Sequence, residues 1–416
     1  LIASYDIGII SGALLQLDEK YTLTDLQEEL VVSLMLVGAI IASLVGGFIV
    51  DWGGRRTVIV VNAAVFALGA IILAASNNLG TLYFGRVVVG FAVSLSAVSE
   101  VIYISEIAPA QSRGALVSLN EMGITLGILV SYIINYALID TREGWRYMFG
   151  ISIVPAIIQG VGMLFLPRSP RWLLLRGHRE EVRGVPTSLC VIFFHVPTAQ
   201  IIETANEQQS KVSLSALLTD PILRKCLLIG CALTLLQQFT GQPTVLYYGS
   251  TLFKAAGFAS DRAATLANMI IGIVKVLATA VALVKVDRLG IGEQAEYDSP
   301  AVKWTSLLCM LVFVIAYAFS YGPVSWLVLS ELFPDDVRGR AVSIATVFNW
   351  LGNLLVSLTF LSLMDGIGFS GTFFLYAAIG VLAFFFVLVV VPETKGKSLE
   401  EVQEMMRVRG VGLDGT

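Results

Sequence analysis

Apolar residues along this chain gather into long blocks separated by short polar turns. A helix that crosses a lipid bilayer needs about 20 mostly apolar residues. Blocks of that kind stand near 1–17, 30–50, 57–76, 81–105, 115–138, 147–167, 222–252, 263–286, 302–330, 340–363 and 370–391. The first is short and opens on Leu1 inside apolar sequence with no Met, which reads as a truncated first span. The pattern predicts an all-α membrane fold of eleven spans. It divides into a helical half over 1–167, a polar loop over 168–221, a second helical half over 222–391 and a tail over 392–416.

Composition supports a bilayer as the solvent. Charged residues make up 14% of the 416, where a soluble domain carries about 25%. Net charge is −4, which offers no footprint for nucleic acid. The four cysteines, Cys190, Cys226, Cys231 and Cys309, form no CxxC pair and read as free thiols, three of them in or beside apolar runs; no disulfide framework, metal or cofactor is implied. The two histidines, His178 and His195, both lie in the polar loop. Nothing has the pattern of a nucleophile elbow, a phosphate-binding loop or a metal cluster, so neither an enzyme nor an ATP-driven pump is indicated.

Cations set the orientation, since Lys and Arg concentrate on the cytosolic side. Arg55 and Arg56 lie in the second connection and Arg113 in the fourth. The long sixth one holds Arg168, Arg171, Arg176, Arg179, Arg183, Lys211, Arg224 and Lys225, and the tail holds Lys395, Lys397, Arg407 and Arg409. The third connection, Ser76 to Gly80, has none. Even-numbered connections and both termini are therefore expected in the cytosol. In the tail, Leu399 to Met406 is amphipathic and reads as a cytosolic helix.

The chain also repeats itself. Glu106, Pro109, Arg113 and Gly114 follow the pattern E-x-x-P-x-x-x-R-G, and Glu331, Pro334, Arg338 and Gly339 follow it again, 225 residues later. Pro167 and Pro392, each closing a run, have the same offset. Asp51, Gly54 and Arg55 have a weaker echo in Asp287 and Gly290. Parallel halves of six spans are the plan of major-facilitator transporters. The echo also exposes a deficit. Two spans fit between Asp51 and Glu106, but one fits between Asp287 and Glu331, although both belong in the cytosol. The ninth of twelve helices is therefore expected to be missing just after Gly290. A second irregularity is Gly184 to Gln200, apolar yet too short to span; a read-through segment and a buried helix both account for it.

These motifs together resemble the sugar-porter family. Tyr5, Asp6, Gly8, Ser11, Gly12 and Ala13 look like its first-helix signature. Gly85-Arg86, Pro167 with Pro170 and Arg171, Gln237 and Gln238 with Gly241, and Pro392 to Gly396 match further motifs, in order, as do the two repeated turns. The resemblance covers the chain apart from about 184–210 and the missing helix. Gly241 to Pro243, Ile273 to Val276 and Trp326 to Glu331 are most similar to class-III facilitative glucose transporters, nearest to members ten and twelve.

A sugar site needs amide and hydroxyl partners and an aromatic face. Gln237, Gln238, Tyr247 and Tyr248 lie in the seventh run. Asn349, Trp350 and Asn353 lie in the run at 340–363, and Asn349 and Asn353, four apart, share a helix face. Amides inside apolar spans are costly unless they meet a cavity or a partner, so from the residues alone sugar binding and helix–helix hydrogen bonding stand as equal alternatives. The resemblance implies sugar contacts at Gln237, Gln238, Asn349 and Asn353 and a stacking ring at Trp326. Four positions depart from the family pattern. Tyr132 stands where most members have Gln, Pro243 and Lys275 where they have Asn, and Ala318 where they have Glu. Hexose is the implied substrate class and the particular sugar is left open.

Charges within the spans widen the reading. In proton-coupled members an Asp and an Arg at the positions of Asp6 and Arg86 carry and balance the proton. Burial disfavours a charged carboxylate and a nearby guanidinium favours it, so a change of access can switch the balance. A fixed buried ion pair is the equal alternative. Lys275 lies roughly 15 Å from either end of its span, and is expected to face a cavity or an acid. Glu100 reads as a residue near the cytosolic mouth. Arg55, Arg56, Glu106, Arg113, Arg171, Glu331, Arg338 and Glu393 sit at cytosolic helix ends. They read as topology-setting charge, and the resemblance adds that such groups form the salt bridges that gate the cytosolic side. The expected activity is facilitative hexose transport by alternating access. Its alternatives are a proton–sugar symporter using Asp6 and Arg86, and a transport-inactive isoform or sugar sensor. The chain is read as a monomer in the lipid bilayer of the plasma membrane or an endomembrane.

Overall fold

The computed structural model describes residues 2–107, 113–169, 172–173, 219–255, 260–285, 317, 328, 332–333 and 335–391. At 2–3, 101, 104–107, 113–121, 255, 277–285, 335–340 and 369–370 it describes the backbone alone. Among these residues every regular element is a helix: α1 (Ile2–Tyr21), α2 (Asp25–Gly53), α3 (Arg55–Ala74), α4 (Leu79–Ile107), α5 (Arg113–Leu138), α6 (Gly144–Gly150), α7 (Ile153–Phe165), α8 (Pro221–Phe239), α9 (Gln242–Tyr247), α10 (Gly249–Ala255), α11 (Asp261–Lys285) and α12 (Asp335–Val390). Seven stretches of helix among the described residues are long and apolar enough to cross a membrane.

Local chemistry starts and stops these helices. The Thr24 side chain accepts from the Gln27 backbone while Gln27 Oε1 accepts from the Thr24 N–H at 3.0 Å, a reciprocal cap at the start of α2. Asp220 caps α8 and Pro221 occupies its first turn, where a missing N–H costs nothing. Gly54, at φ +79°, separates α2 from α3.

The helix ends fall into two sets. Lys20, Glu143 and Arg146 meet with Asn77 and the Ala74 carbonyl at one end, called here the Thr24 end. Arg56, Met163, Leu164, Tyr103, Pro167, Trp172 and Asp51 meet at the other, the Gly54 end. One buried apolar cluster runs from Tyr5 and Ile9 of α1 through Met35, Phe66 and Trp145 to Tyr248 of α9–α10 and Phe360 of α12. It joins both halves. Phe48, Trp52, Phe165 and Phe374 point outward, as side chains facing lipid do.

Two runs differ from their sequence reading. The block at 222–252 is three helices rather than one, because Gly241 adopts φ +84° and Pro243 follows. The block at 147–167 is two, α6 and α7. The last two blocks remain two spans, as read: α12 kinks at Gly368, whose φ of +77° is non-helical, and a span lies on either side of it. The run at 302–330 apart from residues 317 and 328, the expected gap after Gly290, the segment 184–200 and the tail helix lie outside the described residues.

Candidate functional site

The break between α8 and α9 is where the amides gather. Gly241 turns the chain through the left-handed region, and a Cβ there would lie 2.6 Å from the Tyr376 ring. Only glycine lets α12 approach this closely. Immediately before the break, Gln238 Nε2 donates to Asn349 Oδ1 at 2.6 Å. Its Cβ lies against Gly352, one turn along α12. Immediately after the break, the Tyr247 hydroxyl bonds the Asn353 side chain, and Asn353 Oδ1 accepts from Ser357 Oγ at 3.3 Å. The i, i+4 face read from the sequence thus meets α8 at one residue and α9 at the other.

Gln237, Gln238, Tyr247, Asn349 and Asn353 are all buried, and the Trp350 ring packs against the shared core. Gln238 Oε1 and Trp350 Nε1 are buried without a hydrogen-bond partner among the described residues. Such groups are costly unless something meets them. An unmet acceptor and an unmet donor suit a polyhydroxyl ligand. Trp326 lies outside the described residues.

Asp6 and Arg86 border this cluster from the first half. They are 1% and 0% exposed. Arg86 Nε donates to the Val31 carbonyl at 2.9 Å, which aims the guanidinium. It stands within electrostatic range of Asp6, Tyr247 and Tyr248. Both Asp6 carboxylate oxygens and both terminal Arg86 nitrogens lack a hydrogen-bond partner among the described residues. The two residues are electrostatic neighbours with no hydrogen bond closed between them. Lys275 is buried, as its depth in the span requires.

The residues read as cytosolic helix ends divide. Arg55 pairs with Asp51 at 3.1 Å, and Arg56 donates to the carbonyls of Met163 and Leu164 at 3.0 and 2.6 Å, capping the end of α7. Both contacts lie within the first half. The backbones of Glu106, Arg113 and Arg338 are on described helices but their side chains are not described; Arg171, Glu331 and Glu393 lie outside the described residues. Glu100 accepts from Ser96 and from Gln159 of α7, a partner that its reading as a mouth residue did not include. Cys226 and Cys231 are buried free thiols, as read.

Several polar contacts at the meeting of the halves involve residues that carry no motif, Asn135, Asn268 and Glu29 among them. Ser11 Oγ accepts from Asn268 of α11 at 3.0 Å and from Asn135 of α5 at 3.3 Å. Tyr132 donates to the Leu246 carbonyl at 3.3 Å. Glu29 of α2 bonds Ser362 of α12. A lone amide in an apolar run was the only signal for Asn135 and Asn268. Glu29 resembled its neighbours Asp25 and Glu28, acids that favour a helix start.

Comparison with known proteins follows the same outline. The family described as "Sugar (and other) transporter" matches residues 1–293 and 291–406. A facilitated glucose transporter, solute carrier family 2 member 10 of Xenopus laevis, is 36% identical over 98% of this chain and 90% of its own length. The glucose transporter GlcP of Staphylococcus epidermidis is 38% identical over 98% of this chain and 95% of its own. Two structures of the xylose transporter XylE superpose on the fold. The inward-open form from E. coli gives a TM-score of 0.78 at 30% identity, and the proton:xylose symporter bound to 6-bromo-6-deoxy-D-glucose gives 0.76 at 29%; each comparison covers 97% of this chain and 96% of the other.

Proposed function

Because this chain belongs to the sugar transporter family, and is a multi-pass membrane protein rather than an enzyme, we propose that it carries a hexose down its gradient by alternating access. The observation that carries this reading is the amide cluster at the α8–α9 break. Amides both donate and accept, as sugar hydroxyls do, and an aromatic ring suits the apolar face of a pyranose. In this reading Gln237, Gln238, Tyr247, Asn349, Trp350 and Asn353, with Trp326, hold the sugar. The relatives named as glucose transporters support a glucose-like substrate. The cation-rich Gly54 end faces the cytosol and the Thr24 end faces the other side. The test is tracer glucose uptake into proteoliposomes. Saturable uptake that stops at equilibrium and is competed by unlabelled sugar is expected; the absence of any sugar-specific flux would sink the proposal.

Asp6 favours a second reading, proton–sugar symport. A buried carboxylate with no hydrogen-bond partner among the described residues, beside a guanidinium held elsewhere, can take and release a proton as access changes. Imposing an inward proton gradient should then drive accumulation above equilibrium, and Asp6→Asn should abolish the accumulation while sparing exchange. Uptake indifferent to the gradient excludes symport.

The third reading, a transport-inactive isoform or sensor, rests on the missing span. The match to GlcP runs over 432 positions yet uses 98% of a 416-residue chain, which leaves about 24 positions of GlcP facing gaps, about one bilayer-spanning helix. The family match also divides at 291–293, beside Gly290. Sugar-dependent quenching of tryptophan fluorescence without tracer flux would favour this reading.

A further inference from the structure

At the Thr24 end the two halves are held together by polar contacts of unequal kind. Asp140 at the end of α5 pairs with Arg262 of α11 at 2.6 Å, with both side chains more than half exposed. One or two turns inward, Asn268 reaches Ser11. The third contact differs from both. Glu29 is 1% exposed, and no Lys or Arg bonds it among the described contacts. Its Oε1 accepts from the backbone N–H of Ser362 at 3.0 Å and from Ser362 Oγ at 3.2 Å; Oε2 takes a longer bond from the same hydroxyl, 3.4 Å.

A buried carboxylate without a cation is tolerated only while hydrogen-bond donors surround it. Glu29 has two such donors, and both come from the opposite half. If α2 and α12 separate at this end, Glu29 loses both and gains water. Its burial and the closure of the seam are therefore one event. Other carboxylates act in the opposite sense. Asp25 of α2 meets Asp365 of α12 across the same seam, with Glu28 nearby; the two Asp carboxyls can share a proton in a hydrogen bond, and once both are ionised their like charges favour parting. The surroundings also supply a cation, Lys254, within range of Glu28.

We propose that Glu29 is a positioning residue of the transport cycle: its grip on the Ser362 N–H and hydroxyl latches the Thr24 end shut, and its release to water opens that end. The proposal rests on the alternating-access reading above. It concerns a residue that does not touch the sugar, and it makes the α2–α12 contact, more than the exposed Asp140–Arg262 pair, the switch between states.

The test measures distances between spin labels in lipid nanodiscs, without sugar. One label pair spans the Thr24 end (Asn77→Cys with Gly366→Cys). The other spans the Gly54 end (Thr57→Cys with Arg224→Cys). The native cysteines are replaced. Glu29→Gln keeps an acceptor but removes the charge, and a charge-assisted bond of this kind is worth about a tenfold shift in populations or more. The expected result is longer distances at the Thr24 end and shorter ones at the Gly54 end, with the open fraction raised about tenfold. Ser362→Ala removes only the hydroxyl and should shift both pairs in the same senses by less; it serves where Glu29→Gln folds poorly. Unchanged distances in both variants overturn the latch. So does parallel broadening at the two ends, the mark of a residue that merely stabilises the fold. The parent chain judges the underlying reading separately: if added glucose never moves its two pairs in opposite senses, alternating access fails whatever Glu29→Gln does.

Discussion

In the proposed site, Asn349 joins packing to recognition. Its Oδ1 accepts from Gln238 at 2.6 Å across the α8–α12 contact. Asn349→Ala leaves that buried amide donor without its acceptor, a loss of about 1–3 kcal/mol. Sugar affinity is expected to fall about tenfold or more, read by displacement of bound tracer. Tyr247→Phe keeps the ring and removes only the bond to Asn353, so a smaller loss of about 1 kcal/mol, about fivefold, is expected in the same measurement. Equal affinities in parent and Asn349→Ala would remove Asn349 from the site. The spacing of Asn349 and Asn353 was legible in the sequence because both stand out against an apolar run. Glu29 was not, because an acid near a helix start needs no tertiary explanation.

Between elements, the closest approach is backbone to backbone. A Cβ on Gly90 of α4 would lie 1.8 Å from the Met35 carbonyl of α2, and one on Gly38 would lie 2.1 Å from the Val87 carbonyl. Neither neighbour is a flexible side chain that can turn away. Gly90→Ala is therefore expected to destabilise the first half by about 1–3 kcal/mol, seen as a lower melting temperature in detergent. Gly47→Ala, on the same α2 with nothing within 4 Å, is the neutral control. A second tie joins α1 to α6 outside the membrane. Lys20, with Arg146, holds the Glu143 carboxyl below the ordinary carboxylate range through hydrogen bonds of 2.7 and 2.8 Å. A lowered carboxylate value means this tie is complete above that range and is lost as pH falls through the lowered value. Glu143→Gln should thus lower the melting temperature at neutral pH and match the parent in strong acid. A constant difference across the titration contradicts the assignment.

For the whole molecule, the proposed alternating access makes the state depend on which end is joined. At the Thr24 end the exposed Asp140–Arg262 pair is worth about 0–1 kcal/mol, and Arg262→Ala should shift the end-to-end distances less than Glu29→Gln does. At the Gly54 end, the gating network proposed from the family resemblance predicts that removal of Arg338 biases the carrier toward inward-facing states, since such a network would tip two states a few kcal/mol apart. Cysteine probes applied from the two sides should then label unequally in Arg338→Ala and in the parent. Equal labelling would count against a gate at that residue.

The sequence by itself determined the solvent, the repeated halves, the family and the polar face of Asn349 and Asn353. Each is written in local order: the length of apolar runs, the sign of charge at their ends, and spacings of a few residues. Only the tertiary structure decided that the run at 222–252 breaks at Gly241, that Asp6 and Arg86 are neighbours without a closed bond, and that Ser11 meets Asn268. Only there did Glu29 find Ser362, 333 positions away. A buried polar group is made tolerable by whatever donor the fold carries to it, and that donor has no fixed separation along the chain.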